Sequence, residues 1–425
     1  MNRLLVASGL ILDPVTESVK TSDVYIAEGK IIAIDHKPDG FEADQTIDAT
    51  GLIISPGLVD LCARLREPGF EFKADISSET IAAASAGITT LCCPPDTDPV
   101  IDEPAVVELI HRKAATASHA NVITLGALTN GLEGQLLSEM AALQAAGCVG
   151  VSNCRRPVAN TLILRRAYSY AANIGMTVFI EPDEHWLSTG GCAHDGPVAT
   201  RLGLQGIPVS AETVAITRAL ELVLETGVKA HFGRLSSAHG AEIIQRAKER
   251  GMDITADVSA HQLFLNEMDI NSFNSMCHVM PPLRSQRDME ALRKAVRDGV
   301  IDAICSDHQP HEPDAKQAPF ASTEPGISSL ETLLPLTLRL VNEQVIPTYT
   351  ALSLLSTQPA AILGLNTGVL AENRPADICI YDPEHEWQLD TSAMRSRGKN
   401  TPFTGWNLRG KVRYTLINGK LIHSA

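Results

Sequence analysis

The amino-acid sequence predicts an α/β fold, a (β/α)8 barrel of the TIM type with β-rich segments at both ends of the chain. Between residues 57 and 365, eight short apolar runs alternate with longer segments of helical period, as in repeated βα units. Both chain ends instead contain short strand patterns separated by turn signals. No glycine-rich phosphate fingerprint follows any run, which argues against an open dinucleotide-binding sheet.

The N-terminal segment, residues 1–55, is predicted to be a small β unit. Strand patterns cover residues 4–12, 24–34 and 51–57, with a turn at Glu28-Gly29 inside the second pattern.

The middle segment, residues 56–365, is predicted to be the barrel. Its eight apolar runs begin near residues 57, 89, 121, 148, 177, 228, 253 and 301. Helical period is clearest in five intervening segments, several of which end at a glycine, as helices commonly do. These segments are residues 76–87, 103–117, 211–227, 241–251 and 285–299. Eight such units favour a closed barrel over an open sheet.

The C-terminal segment, residues 366–425, returns to strand patterns. They cover residues 376–382 and 412–424, and Asn418-Gly419 is a typical hairpin turn. Two β-rich ends therefore flank a different middle.

Composition and charge exclude several classes of protein. The chain has 425 residues, of which 44% are hydrophobic and 20% charged, so whole-chain disorder is excluded. Fifty acidic and 35 basic residues give a formal charge of −15, which disfavours nucleic-acid and membrane-surface partners. Nine scattered cysteines without a CxxC pair indicate reduced thiols. The sequence shows neither a signal-peptide pattern nor an apolar run of about 18 residues, so a cytoplasmic location is expected.

The ends of the barrel strands are where this fold carries its chemistry, and here several segments match a known family. They are PGLVDL…LREPG (56–69), PPDTDPV (94–100), GLQGIPVSAE (203–212), MPPLRS (280–285), SDHQPH (306–311), GISSLETLLPL (326–336), QPAAILGL (358–365), ADICIYDP (376–383) and NTPFTGW (400–406). Together they resemble the dihydroorotase branch of the amidohydrolase superfamily. The resemblance implies a barrel of the metallo-dependent hydrolase type over residues 56–365. It also implies a small β-sandwich built from residues 1–55 and 366–425.

The metal ligands of that family are largely replaced in this chain. The resemblance implies one or two zinc ions that generate hydroxide, held by histidines after strands 1, 5 and 6 and by carboxylates after strands 4 and 8. The histidine positions and the strand 4 carboxylate position hold other residues, namely Cys62, Arg64, Glu181, Arg234 and Asn153. Asp307, after strand 8, is the ligand that is retained.

This replacement predicts that the zinc centre is absent and that the protein has no cofactor. Zinc needs three or four N, O or S donors at about 2.0–2.3 Å, whereas a guanidinium offers no lone pair. A dication about 5 Å from a guanidinium is repelled by several kcal/mol at an effective dielectric constant near 20. Arg64 and Arg234 are instead predicted to pair with Asp307 and Glu181, because unpaired carboxylates in a barrel mouth are costly.

The substrate side of the family site is partly retained. Arg66 stands where the family's arginine holds a substrate carboxylate, whereas Asp96 puts an anion where the family has asparagine. His261 and Arg284 match positions near the substrate pocket less specifically. The alternative for Arg66, which we favour, is structural: the turn of residues 66–69 and its ion pair hold the loop after strand 1.

Three further hypotheses concern residues near the mouth. A new metal site could be formed by four loop residues, Asp307, His308, His311 and His261, although loop histidines are more often only solvated. Cys62 could be a nucleophile activated by the arginines, although a small packed residue is the simpler interpretation. Residues 185–206, rich in glycine and proline, are predicted to be a mobile loop.

Two functions follow from the resemblance. The first is a pseudoenzyme, because the sequence resembles inactive dihydroorotase-like chains that associate with aspartate carbamoyltransferase in certain bacteria. That implies a non-catalytic assembly subunit in pyrimidine biosynthesis, with the aspartate carbamoyltransferase catalytic chain as partner and with self-association. The second is an active but metal-poor hydrolase of a cyclic amide, of the dihydroorotase, hydantoinase or allantoinase type, with Asp307 as general base and Arg64 or Arg234 as electrophile. We favour the first.

Overall fold

The computed structural model describes residues 3–425. Its strands are β1 (Arg3–Asp13), β2 (Ser18–Ala27), β3 (Lys30–Ile34), β4 (Gln45–Asp48), β5 (Ile53–Pro56), β6 (Leu58–Asp60), β7 (Ile88–Cys93), β8 (Asn121–Ala127), β9 (Gly150–Ser152), β10 (Thr177–Ile180), β11 (Ala193–His194), β12 (Gly206–Ile207), β13 (Ala230–Phe232), β14 (Ile254–Ser259), β15 (Ala303–Cys305), β16 (Ile378–Gln388), β17 (Asn407–Ile417) and β18 (Lys420–Ser424).

The helices lie mainly between the barrel strands. They are α1 (Ile76–Ser85), α2 (Pro104–Ala117), α3 (Met140–Ala145), α4 (Thr161–Ile174), α5 (His185–Ser188), α6 (Pro197–Leu202), α7 (Ser210–Thr226), α8 (Ala238–Glu249), α9 (Gln286–Arg297), α10 (Leu330–Asn342), α11 (Thr348–Leu355) and α12 (Thr357–Ile362). Short 3-10 segments lie at Asn130–Leu132, Ala260–Leu263, Glu267–Phe273, Ser275–Cys277, Pro313–Lys316 and Phe320–Ser322. Within residues 3–425, no helix combines the length and apolarity needed to cross a bilayer.

Eight strands form the barrel, and all neighbouring pairs are parallel, in the order β15-β14-β13-β10-β9-β8-β7-β6. Each run predicted from the sequence overlaps one of these strands. The two outermost strands meet just beyond their ends, where the His308 N–H donates to the Cys62 carbonyl at 3.2 Å and the Arg64 N–H donates to the His308 carbonyl at 2.9 Å. The barrel is therefore closed at the edge that carries the candidate residues, and the predicted fold class is confirmed.

Local sequence explains why these elements form. Strand β7, ITTLCC, is buried at every position, as a parallel strand covered on both faces requires. Helix α9 begins after Ser285, whose side chain accepts from the Asp288 N–H in a capping box, and it buries Leu292, Ala295 and Val296. Such helices cover the outside of the barrel and leave its strand ends free for the site.

The two chain ends share one sheet, in the order β18-β17-β16-β5-β1-β2-β3, with β4 paired to β1. The predicted hairpin turns are present, since Glu28, Gly29, Asn418 and Gly419 all have positive φ. The sequence resemblance implied a sandwich, and the structure has one connected sheet that folds back on itself. Ile31 and Leu416, near opposite ends of this sheet, belong to the same buried core.

The segment predicted to be a mobile loop, residues 185–206, is structured. It contains α5, β11 and α6, and β11 pairs in parallel with β12, which begins at the last residue of the segment. Hydrogen bonds from the Cys192 N–H to the Gln205 carbonyl (3.0 Å) and from the Asp195 N–H to the Ile207 carbonyl (3.1 Å) close it. The prediction from glycine and proline content was wrong because these residues here begin and end short elements instead of interrupting them.

Candidate functional site

Arg64 carries its guanidinium from the end of β6 into the barrel mouth. Its Nε donates to Asp96 Oδ2 at 2.7 Å, its Nη1 lies 3.4 Å from Asp307 Oδ1, and its Nη2 lies 3.8 Å from Glu181 Oε1. These three carboxylates follow β7, β15 and β10 respectively. One cation thus ties together the ends of four barrel strands.

Arg234, after β13, approaches the same carboxylates from the other side. Its Nη2 lies 2.6 Å from Glu181 Oε1, and its Nε lies 3.8 Å from Asp307 Oδ1. The residue has a φ of 55°, uncommon for a non-glycine residue, and Asp257 Oδ1 accepts from its backbone N–H at 2.6 Å. The pairing predicted from the sequence is confirmed, because each guanidinium lies within 4 Å of both carboxylates.

We call these residues the barrel-mouth ion cluster: Arg64, Arg234, Asp96, Glu181 and Asp307. Four of their side chains are at most 10% exposed, and that of Asp96 is 29% exposed. Burial raises the pKa of Asp307 to about 6, although both arginines favour its ionised form. Burial also opposes ionisation of Asp96, but Arg64 outweighs it and lowers the pKa of that carboxyl. If Asp307 carries a proton, the cluster contains two positive guanidiniums and two negative carboxylates, so its net charge is zero.

Cys62 and Asn153 stand at two positions where the family has metal ligands, and their contacts in this chain are with neighbouring protein groups. The Cys62 sulfur lies 3.7 Å from Arg64 Nη1 and 3.7 Å from Asp307 Oδ1, and burial raises the pKa of its thiol well above the usual range. A thiol that resists ionisation is a poor nucleophile. Asn153 Oδ1 accepts from the Thr129 hydroxyl at 2.7 Å, and its amide nitrogen donates to backbone carbonyls, which fixes the loop after β9.

Arg66 points away from the ion cluster. Its Nε donates to the Pro310 carbonyl at 3.0 Å, and its Nη2 lies 3.0 Å from His311 Nε2. The expected ion pair within its turn is not formed, because Glu67 instead pairs with Lys113 and accepts from the Ile76 N–H. Arg66 therefore joins the loops after β6 and β15.

His261 and Arg284 lie in the protein interior. His261 is 1% exposed, both its ring nitrogens lack a hydrogen-bond partner among the described residues, and burial lowers its pKa to about 3. Arg284 donates from Nη1 to the Ile207 carbonyl at 2.5 Å and from Nε to the Ser236 hydroxyl at 3.1 Å. Its contacts are thus with the protein itself.

The four loop residues considered as a new metal site are not brought together. His308 Nε2 lies 2.7 Å from Glu79 Oε2, and its Nδ1 accepts from the Ser329 N–H, so both ring nitrogens already have hydrogen-bond partners. His311 contacts Arg66 and the Pro325 carbonyl. Among residues 3–425, no group of three or more His, Cys, Asp or Glu side chains has the arrangement of a metal site.

Sequence reasoning missed the partnership of Asp96 with Arg64. Asp96 was interpreted only as an anion in the substrate region, although its carboxylate makes the shortest contact of the Arg64 guanidinium. The signal was available: where the family has histidine and asparagine, this chain has arginine and aspartate, which together form a charge-compensated exchange.

Two family models match the chain: "Dihydro-orotase-like" over residues 51–239 and "Amidohydrolase family" over residues 199–422. A Dihydroorotase-like protein of Pseudomonas aeruginosa is 49% identical over 97% of both chains, and one of Pseudomonas putida is 47% identical over the same shares. This chain is a dihydroorotase-like member of the amidohydrolase family. A Dihydroorotase of Geobacter sp. is 39% identical to it over 99% of both chains. The solved L-hydantoinase from Arthrobacter aurescens shares the fold, with a TM-score of 0.90 at 23% identity, covering 100% of this chain and 96% of that one.

The zinc centre implied by the dihydroorotase family does not fit the residues at this mouth. Zinc requires several lone-pair donors, and the two arginines supply none. Glu181 Oε1 and Asp307 Oδ1 are both occupied by guanidinium N–H groups. A cation here would have to displace Arg64 and Arg234 and leave two positive side chains buried beside it.

Proposed function

We propose that this dihydroorotase-like chain is a non-catalytic, zinc-free homologue that serves as an assembly subunit of an aspartate carbamoyltransferase complex in pyrimidine biosynthesis. The barrel-mouth ion cluster is the observation that carries the proposal. Two buried guanidiniums stand where a metal-dependent relative would hold its ions, and three carboxylates keep them there. Such an arrangement removes the means of generating hydroxide at neutral pH.

The intact fold around the altered mouth supports a structural role. All eight barrel strands and the shared terminal sheet are formed. The charged residues at the family's ligand positions, Arg64, Glu181 and Arg234, pair with one another, so none of these charges is left unpaired. A subunit that acts through its surface needs this stability and does not need a reactive mouth. The partner is inferred from the resemblance of the sequence to inactive chains that associate with aspartate carbamoyltransferase. Self-association and a cytoplasmic location belong to the same proposal.

A second candidate is a metal-poor cyclic-amide hydrolase, and one observation favours it. The pKa of Asp307, about 6, suits a general base near neutral pH, and Arg64 and Arg234 could polarise a carbonyl. Against it, both guanidiniums are engaged by carboxylates. A substrate would have to break those contacts before either arginine could act as an electrophile.

Metal content and turnover separate the two candidates. The purified chain is assayed for zinc by mass spectrometry and for dihydroorotase activity in both directions, beside a zinc-containing dihydroorotase as control. We expect less than 0.1 zinc per chain and no turnover above background. Turnover without zinc would establish the hydrolase instead, and one or two zinc ions per chain with turnover would overturn both candidates.

The partner is tested by co-expression with the aspartate carbamoyltransferase catalytic chain of the same organism. We expect a hetero-oligomer by native mass spectrometry, and a carbamoyltransferase that is misassembled or inactive when this chain is omitted. Hen egg lysozyme replaces this chain in the negative control. If the carbamoyltransferase assembles and works normally alone, the assembly role fails.

A further inference from the structure

A cleft beside the barrel mouth is not used by the proposed function. This side cleft lies between the ends of β9 and β10 and the helices α4 and α7, with an empty volume of about 720 Å³ that includes its opening to solvent. Its inner wall is apolar and includes Leu128, Leu164, Tyr168, Val178 and Ala219. An apolar cleft with a few polar groups at its rim is the usual form of a small-molecule site.

The carboxylates at the side cleft already have partners. Glu181 is held by Arg234 at 2.6 Å, and Asp183 lies 3.2 Å from Arg155. The Glu184 side chain caps helix α5 by accepting from a backbone N–H. The acidic groups at this rim are therefore neutralised or engaged.

Two guanidiniums at the same rim, Arg156 and Arg218, are not neutralised. Neither forms an ion pair with any residue in the described part of the chain, 3–425. Arg218 Nη2 donates to the Val158 carbonyl at 2.5 Å, while its Nε is buried and finds no acceptor there. In a chain of net charge −15, two unpaired arginines at one cleft favour an anionic ligand.

Trp186 stands at the entrance of the side cleft and is 73% exposed. Its ring and that of His185 lie edge to face, with centroids 5.0 Å apart. Leu187, next to it, is also exposed. A large aromatic ring left in water beside an apolar cleft offers a flat surface on which another ring can stack.

We propose that the side cleft binds a small planar aromatic anion, with its ring against the apolar wall and Trp186 and its charged group on Arg218 and Arg156. Both arginines line the cleft, and a guanidinium without a carboxylate partner can form a charge-assisted hydrogen bond with an oxyanion, which a neutral ligand could not exploit as well. This site adjoins the barrel-mouth ion cluster at Glu181, but the residues proposed to hold the ligand are not members of that cluster, and the site does not depend on whether the chain is catalytic or assembles with a partner.

Matched probes test the proposal. The full-length chain is titrated with 2-naphthoate and with 2-naphthamide, which has the same ring system without the charge, and binding is followed by ligand-observed NMR. We expect saturable binding of one 2-naphthoate per chain and about tenfold weaker binding of the amide, because a charge-assisted hydrogen bond is lost. Equal affinities for the two probes, or saturable binding of neither, would overturn the proposal.

Variants locate the site. Arg218→Gln is expected to weaken 2-naphthoate about tenfold and 2-naphthamide less than twofold. Arg246→Gln, an exposed arginine on α8, removes the same charge elsewhere and should change neither. Equal effects of these two variants would contradict the assignment.

Two surface variants keep the test valid if Arg218→Gln fails to fold. Trp186→Ala should weaken both probes, because it removes stacking surface, and Arg156→Gln should weaken only 2-naphthoate. Both positions are exposed, so neither change disturbs the core. If 2-naphthoate binds both variants as tightly as the wild type, the site lies elsewhere.

Discussion

Replacement of Arg234 by methionine tests the barrel-mouth ion cluster directly. The change removes the cation 2.6 Å from Glu181 and 3.8 Å from Asp307, and leaves both carboxylates to Arg64, which already holds Asp96. A pair of unit charges about 4 Å apart is worth about 4 kcal/mol at an effective dielectric constant of 20. Measured costs of breaking a buried pair are about 3–5 kcal/mol. We therefore expect Arg234→Met to lower the free energy of unfolding by about 3–5 kcal/mol.

The assay is urea unfolding at pH 7.5, followed by circular dichroism, with two matched variants. Arg165→Met breaks the pair with Glu225, at 2.7 Å but about half exposed, and should cost about 0–1 kcal/mol. The double variant Arg234→Met/Glu181→Gln should be more stable than Arg234→Met, since it leaves one fewer unpaired charge. The reasoning is refuted if Arg234→Met costs no more than Arg165→Met.

Three further predictions follow from the same region. Because burial raises the pKa of Asp307 from 3.8 to about 6, the contribution of Asp307 to stability is greatest at low pH and falls by about 3 kcal/mol as the pH rises from about 4 to about 6. Asp307→Asn should lack this fall when its urea midpoints are compared with those of the wild type across that range, and parallel curves for the two proteins would contradict the prediction. Restoring donors through Cys62→His, Arg64→His, Asn153→Asp, Glu181→His and Arg234→His should let the chain retain at least one zinc ion after gel filtration, and a folded variant without zinc would count against our account of the metal loss. His308→Ala should lower the unfolding free energy by about 1.5–3 kcal/mol, because the buried Glu79 carboxylate loses one hydrogen-bond donor while it keeps Ser396 and the Arg397 N–H; a loss below about 0.5 kcal/mol would show that this hydrogen bond is not structural.

The sequence was sufficient to predict the barrel because its signal is repeated. A helical segment or a loop separates each of the eight apolar runs from the next. A wrong assignment of one run would therefore not have changed the predicted fold class. Strand β4 was missed because QTID is short and partly polar. The folding of the terminal strands into one sheet was not predictable either, since it depends on β5 pairing with both β1 and β16, which are more than 300 residues apart.

The candidate site was predictable where charge alone decided the outcome. Two arginines and two carboxylates in one barrel mouth must pair, and they do so. Side-chain direction was not predictable: Arg66, two residues from Arg64, turns towards Pro310 and His311 because its φ is 64°. Hydrophobic period and motif spacing carry no information on such single-residue turns of the backbone.

The ion cluster shows how the carboxylates of a barrel mouth can be charge-compensated by side chains of the protein itself. Carboxylates that follow different strands repel one another unless cations separate them, and zinc would serve that purpose in a metal-dependent relative. In this chain Arg64 and Arg234 join the ends of β6, β7, β10, β13 and β15 through direct hydrogen-bond and ion-pair contacts. A guanidinium can replace the charge and the bridging geometry of a metal, but it cannot bind and acidify a water molecule. Under the proposed function, the exchange keeps the charges of the mouth compensated and leaves it without a metal-bound water for hydrolysis.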